Sequence, residues 1–160
     1  MKVRVAWLGR PTASPYEREI ETYRKRVHRR WPAEDRPLRP SAGGRERDPE
    51  RALRLEADQL LRQLEPGWRL VVLDERGPTH TSEAFAKRLQ KHADRGVEGL
   101  LFVIGSDLGL DRDLVSRADE RLSMSPMTLP HLLARLLLWE QLFRATSILG
   151  GGAYHRVSVQ

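Results

Sequence analysis

The sequence predicts an α/β fold, a mainly parallel sheet flanked by helices, on the strength of three observations. Two continuous apolar runs, Arg69-Leu70-Val71-Val72-Leu73-Asp74 and Leu100-Leu101-Phe102-Val103-Ile104, have the composition of strands buried on both faces. Segments of helical spacing separate these runs from each other and from an alternating N-terminal run. No internal repeat and no linker divides the 160 residues, so a single domain over 1–160 is expected.

In chain order, residues 2–8 (KVRVAWL) alternate and are rich in β-branched side chains, predicting a strand that ends at Gly9-Arg10-Pro11. A helix is expected next, with Ser14 as cap and Pro15 in the first turn. Glu17, Glu19 and Glu21 then lie at the positive end of its dipole. It runs out through Tyr23-Arg24-Lys25-Arg26-Val27-His28-Arg29-Arg30, with cations at the negative end. Six basic residues in the last seven exceed what a helix end requires, which makes the run a candidate for phosphate binding.

Residues 36–47 carry Pro and Gly and suit a short strand followed by a loop. Asp48-Pro49 opens a helix to about Leu64, with Leu53, Leu55, Leu60, Leu61 and Leu64 as its apolar set, closed by Glu65-Pro66-Gly67. After the strand at 69–74 and the turn Glu75-Arg76-Gly77-Pro78, Thr81-Ser82-Glu83 starts a helix to about Asp94. The strand at 100–104 ends in Gly105-Ser106-Asp107-Leu108-Gly109, and Asp111 caps a short helix through Ala118. Arg121-Leu122-Ser123-Met124 is a last short strand, and a long helix fills Pro130 to about Ile148.

The charge balance is +6, from 28 Lys and Arg against 22 Asp and Glu, and most of the cations are Arg. Arg forks suit phosphate, pointing to an anionic partner such as nucleic acid, while an Arg-rich bias unrelated to binding accounts for the charge equally well. No apolar run approaches the ~20 residues needed to span a bilayer, and the N-terminus lacks the pattern of a signal peptide, so a cytoplasmic protein without membrane contact is expected. The absence of Cys removes disulfides, thiolate nucleophiles and Cys-based zinc sites. The five His show no H-E-x-x-H and no paired spacing, so no bound metal is expected. G-x-G-x-x-G and G-K-[ST] are missing, and Ser106 is not the central residue of G-x-S-x-G.

Ligands of open α/β sheets bind beyond the carboxyl ends of the strands, which directs attention to Leu73-Asp74 and to Gly105–Gly109. Both are also compatible with ordinary strand-to-helix turns. The long helix is apolar around nearly its whole circumference, which a small domain cannot cover alone, so a subunit interface is expected there. His131 and Arg135 share one of its faces, and Glu140 and Arg144 share the opposite one at i, i+4, where a structural ion pair is the competing reading. Tyr154-His155-Arg156 joins a stacking ring, an imidazole and a phosphate fork, or is a frayed terminus after three glycines.

Phe102-Val103-Ile104-Gly105, Gly109, the run from Leu122 through Ser125-Pro126 to His131, Arg135, Glu140-Gln141-Leu142-Phe143-Arg144-Ala145 and Tyr154-His155-Arg156 together resemble the RlmH family. These are SPOUT-class methyltransferases acting on N3 of a pseudouridine in large-subunit ribosomal RNA. The resemblance implies a C-terminal deep trefoil knot, a homodimer packed through the knot region, and S-adenosylmethionine as cofactor without a metal. Carried over by motif, the cofactor residues are Leu73, Gly105, Met124, Ser125, Pro126, Met127, Thr128 and Leu129. The reaction removes a proton from the acceptor nitrogen, for which His155 and Glu140 are the candidate bases. Arg135, Arg144 and Arg156 are candidates to anchor phosphate or polarise a carbonyl, Tyr154 to stack on the base, and His131, from the same motif series, is counted among the catalytic candidates. The family pattern has a second glycine where this chain has Ser106, and the chain continues past Arg156 with Val157-Ser158-Val159-Gln160. A non-catalytic ribosome-binding or assembly factor of the same fold is the alternative, and a side chain at 106 that spoiled the cofactor loop would favour it.

Overall fold

The structure, a computed structural model, describes residues 1–41 and 46–154. Its strands are β1 (Lys2–Leu8), β2 (Ala33–Leu38), β3 (Trp68–Leu73), β4 (Gly99–Ile104) and β5 (Glu120–Leu122). Its helices are α1 (Glu17–His28), α2 (Pro49–Leu61), α3 (Ser82–Asp94), α4 (Arg112–Arg117) and α5 (His131–Leu149). The five strands form one sheet in the order β2-β1-β4-β3-β5, and every pairing is parallel.

Strand alternation divides the core into two layers. On one face Val3, Val5, Trp7, Val71, Leu100, Phe102 and Ile104 pack against α1, α3 and α5. On the other, Ala6, Leu8, Leu70, Val72, Leu101 and Val103 meet Ala57 and Leu60 of α2 and Leu114 of α4. Parallel strands covered on both faces explain why β3 and β4 read as unbroken apolar runs.

Asp48, Thr81 and Asp111 cap α2, α3 and α4 through their side-chain oxygens, as the sequence suggests. Ser14 does not cap α1. It closes a 3-10 turn at Pro11–Ala13, its hydroxyl accepts the Tyr16 N–H (3.2 Å), and α1 starts two residues later than Pro15. β2 begins at Ala33 rather than within 36–47, because an edge strand tolerates polar residues and Pro37. α2 stops at Leu61, and Leu55 lies on its outer face, 43% exposed. No described helix is long and apolar enough to cross a membrane.

The helix α5 crosses the α1/α3 layer with Leu138, Trp139, Leu142 and Ala145 buried, and with them Arg135, only 1% exposed. The Arg135 Nε and Nη2 donate to Asp35 Oδ1 (3.1 Å) and Oδ2 (2.7 Å) in β2. The same guanidinium is paired bidentately with Glu17 at the start of α1 and lies over the Trp7 ring, 3.9 Å from its centroid. Burial works against the Arg135 charge, but the hydrogen bonds and charges of Glu17 and Asp35 outweigh it and raise its pKa. The indole N–H groups of Trp7 (2.9 Å) and Trp139 (2.8 Å) donate to Asp35 as well.

Removing Asp35 leaves a buried guanidinium with Glu17 as its one carboxylate partner and two indole N–H groups without their acceptor. Asp35→Ala is therefore expected to lower the unfolding free energy in urea by about 3–5 kcal/mol. Glu17→Ala, at a carboxylate whose side chain is 39% exposed, is expected to cost about 1 kcal/mol or less by the same measurement.

Candidate functional site

The carboxyl ends of β3, β4 and β5 open into a cleft of about 1340 Å³. This exceeds the ~300–1,000 Å³ of most small-molecule sites and leaves room for two reactants. Its walls come from the ends of β3 and β4, the loop after each, the 122–131 segment and the first turn of α5. Leu73, Gly105, Met124, Ser125, Met127, Thr128 and Leu129 all line it, and so does His131. Pro126 does not, although it lies within the same segment.

The loop after β4 owes its shape to two glycines. A Cβ on Gly105 would overlap the Gly109 carbonyl, so the loop folds over residue 105 only if that residue lacks a side chain. Gly109 has φ of 85°, a left-handed value that other residues rarely adopt. Its N–H donates to the Ser106 carbonyl at 2.9 Å, closing the turn. Ser106 has no left-handed φ, and its hydroxyl donates to Glu56 Oε2 (2.8 Å) on α2. A serine here is therefore compatible with an open loop.

Two side-chain bonds join opposite rims of the cleft. The His131 Nδ1–H donates to Asp107 Oδ1 (2.9 Å), linking α5 to the glycine loop. The Thr128 hydroxyl donates to Glu75 Oε2 (2.6 Å), linking the 124–129 segment to the turn after β3. Asp74 shapes that turn by accepting the Arg76 N–H at 3.0 Å. Sequence reading missed Asp107, Glu75 and Glu56, because their partners are 15 to 53 residues away.

Of the catalytic candidates, His131 is at the cleft, while Glu140, Tyr154 and Arg135 are not among its lining residues. Glu140 Oε1 accepts from Arg144 Nε (3.0 Å) and Nη2 (2.5 Å) and from the Tyr154 hydroxyl (3.2 Å), while its Oε2 accepts from Gln141 (2.6 Å). Arg144 lies over the Tyr154 ring, which packs on Phe143 at 4.5 Å, and Phe143 in turn stacks on Tyr23. The expected ion pair is present, but as part of an aromatic and arginine cluster. Glu140 is six positions beyond Ala134, the last residue of α5 on the cleft wall, a rise of roughly 9 Å along the helix. One chain therefore does not bring this cluster to the cleft. Arg135 is enclosed by Glu17 and Asp35, so it reaches neither a phosphate nor a carbonyl. His155 and Arg156 lie outside the described residues.

Desolvation of the Tyr154 phenol, followed by its hydrogen bond with Tyr23 and the charge of Glu140, pushes its pKa up to about 12. The ring is thus a proton donor at neutral pH. The basic run of α1 divides in two. Arg24 pairs with Glu21, and Arg26 lies over Phe143. Arg18, Lys25 and Arg29 line the exposed side opposite Ile20 and Val27, where Lys25 also pairs with Glu21 (3.5 Å). Among the described residues, no group of three His, Asp or Glu side chains is placed to hold a metal.

A family model described as "Predicted SPOUT methyltransferase" matches residues 1–155. The chain is also similar to proteins named "Ribosomal RNA large subunit methyltransferase H". That of Anaeromyxobacter sp. (strain K) is 43% identical over 162 aligned positions, covering 98% of this chain and all of the relative. That of Rhodospirillum centenum is 42% identical over 158 positions, covering 98% and 99%.

Two outcomes are expected from this geometry. Gly105→Ala displaces the Gly109 carbonyl from the loop and is expected to speed amide hydrogen exchange at Gly109 by at least about tenfold. The absorbance change on alkaline titration that is lost in Tyr154→Phe should have its midpoint near pH 12, not 10.

Proposed function

The chain belongs to the SPOUT methyltransferase family, and from that premise we propose that it methylates N3 of a pseudouridine in large-subunit ribosomal RNA with S-adenosylmethionine as donor. The observation that carries the reading is the meeting of Leu73, Gly105 and most of the 124–129 segment at one cleft. Apolar walls from Leu73, Ile104, Leu122 and Leu129 suit an adenine face, and the backbone groups of two tight loops suit its edge. The bound cofactor would supply a sulfonium methyl carbon already activated toward nitrogen, so the chain's task is alignment and exclusion of water.

A homodimer is part of the same reading. Leu133, Leu137, Glu140 and Arg144 share one outward line of α5, at i, i+4, i+7 and i+11. Leu133 and Leu137 are absent from the residues packed on either core layer. A second copy against this line covers two leucines and is the means of bringing a Glu140–Arg144–Tyr154 cluster toward a cleft whose wall on its own α5 ends roughly 9 Å away. In that arrangement Tyr154 donates or stacks, Arg144 supplies positive charge, and proton removal falls to Glu140 or His155.

A threaded C-terminal path belongs to this reading too, supported by the one cleft that both the loop after β4 and the 122–131 segment line. The exposed cations Arg18, Lys25 and Arg29 suit an RNA backbone, and action on ribosomes suits a cytoplasmic protein. The non-catalytic alternative loses its ground, because the Ser106 hydroxyl is engaged by Glu56.

Labelled methyl transfer from S-adenosylmethionine to ribosomes, separated subunits and free ribosomal RNA tests the proposal. Label is expected in large-subunit RNA in at least one particle that contains it, and none in the small subunit. His155→Ala is expected to lower kcat and alter its pH profile. Cofactor binding without label in any RNA would overturn the assignment.

A further inference from the structure

The reading of the cleft leaves a buried charge without a role. Glu56, on α2, is 2% exposed. A carboxylate taken out of water is tolerated only where hydrogen bonds replace its hydration. Its Oε1 accepts the Ser41 N–H at 2.8 Å, and its Oε2 accepts the Ser106 hydroxyl at 2.8 Å. Ser106 Oγ also accepts the Leu108 N–H (3.3 Å), so a single hydroxyl joins the carboxylate to the inside of the glycine loop.

Apolar burial does little for the tip of this loop. The Asp107 side chain is 91% exposed and Leu108 is 41% exposed. The loop is instead held from two sides, by Glu56 on α2 and by His131 on α5. We propose that Glu56 is a positioning residue for cofactor binding: through Ser106 it fixes the Gly105–Gly109 loop in its cofactor-binding shape, and through Ser41 it ties the segment after β2 to the same point. This rests on the cofactor reading of the cleft. It also gives Ser106 a function in this chain, since a glycine at that position has no hydroxyl to offer a carboxylate.

The test uses the full chain and two measurements, calorimetric binding of S-adenosylmethionine and amide hydrogen exchange across residues 105–110 without ligand. Ser106→Ala and Glu56→Gln are each expected to weaken binding about tenfold and to speed exchange at Leu108 and Gly109. The KM for cofactor rises in step, while kcat at saturating cofactor changes by no more than about twofold. The double variant is expected to lose no more than the worse single one, because both remove the same contact. Ser106→Thr, which keeps the hydroxyl, recovers most of the loss. Should Glu56→Gln fail to fold, Ser106→Ala and Ser106→Thr still decide the matter. Parent-like exchange and affinity in Ser106→Ala would overturn the brace alone. Absence of cofactor binding by the parent chain would instead overturn the reading of the cleft.

Discussion

A guanidinium carried into an apolar interior must bring its counter-charges with it, and Arg135 finds them on two other elements. Asp35 receives two of its donors together with the indole N–H groups of Trp7 and Trp139. Glu17 receives the rest from the start of α1. One carboxylate thus fixes β2, β1 and α5 with respect to one another. Hydrophobic packing alone tolerates sliding of a helix that is apolar all round, whereas directional bonds to a charged fork do not. The register of α5 follows, and with it the placement of His131 at the cleft and of Glu140 on the outward face.

The sheet supplies the other half of the construction. Parallel strands end together, so the loops after β3, β4 and β5 converge at one edge whatever their sequence. Their sequence decides what that edge holds. Gly105 lets the chain fold tightly over itself, and Asp74 shapes the turn after β3. Two rim-to-rim bonds, His131 to Asp107 and Thr128 to Glu75, then set the spacing of the walls.

Much of this is legible in the sequence. β3 and β4 announce themselves as buried strands, and Asp48, Thr81 and Asp111 announce three helix starts, because each signal is confined to a few adjacent residues. β2 is obscured because an edge strand of composition AEDRPL carries charges and a proline that a central strand would reject. Arg135 misleads for a deeper reason. A lone Arg on a helix reads as a surface cation, and only pairing with residues 100 and 118 positions away turns it into an interior one. The 124–129 segment is legible through motif resemblance. The carboxylates that brace the cleft, Glu56, Glu75 and Asp107, are not, since no local pattern marks a partner so distant.

The cluster around Glu140 follows a similar logic in a more exposed place. The carboxylate receives Arg144, Gln141 and Tyr154, so its oxygens are engaged in orienting neighbours. Tyr154, with its phenol held protonated to about pH 12, offers a hydroxyl and a ring face at neutral pH, not a base. Its ring is clamped between Arg144 and Phe143, and Phe143 leans on Tyr23 of α1. A ring fixed in this way has little conformational entropy left to lose when a flat partner arrives. For the proposed reaction, the proton acceptor must then be a group with an available lone pair, which favours the His155 imidazole, of the two bases the sequence offers, over a Glu140 carboxylate that already accepts four hydrogen bonds.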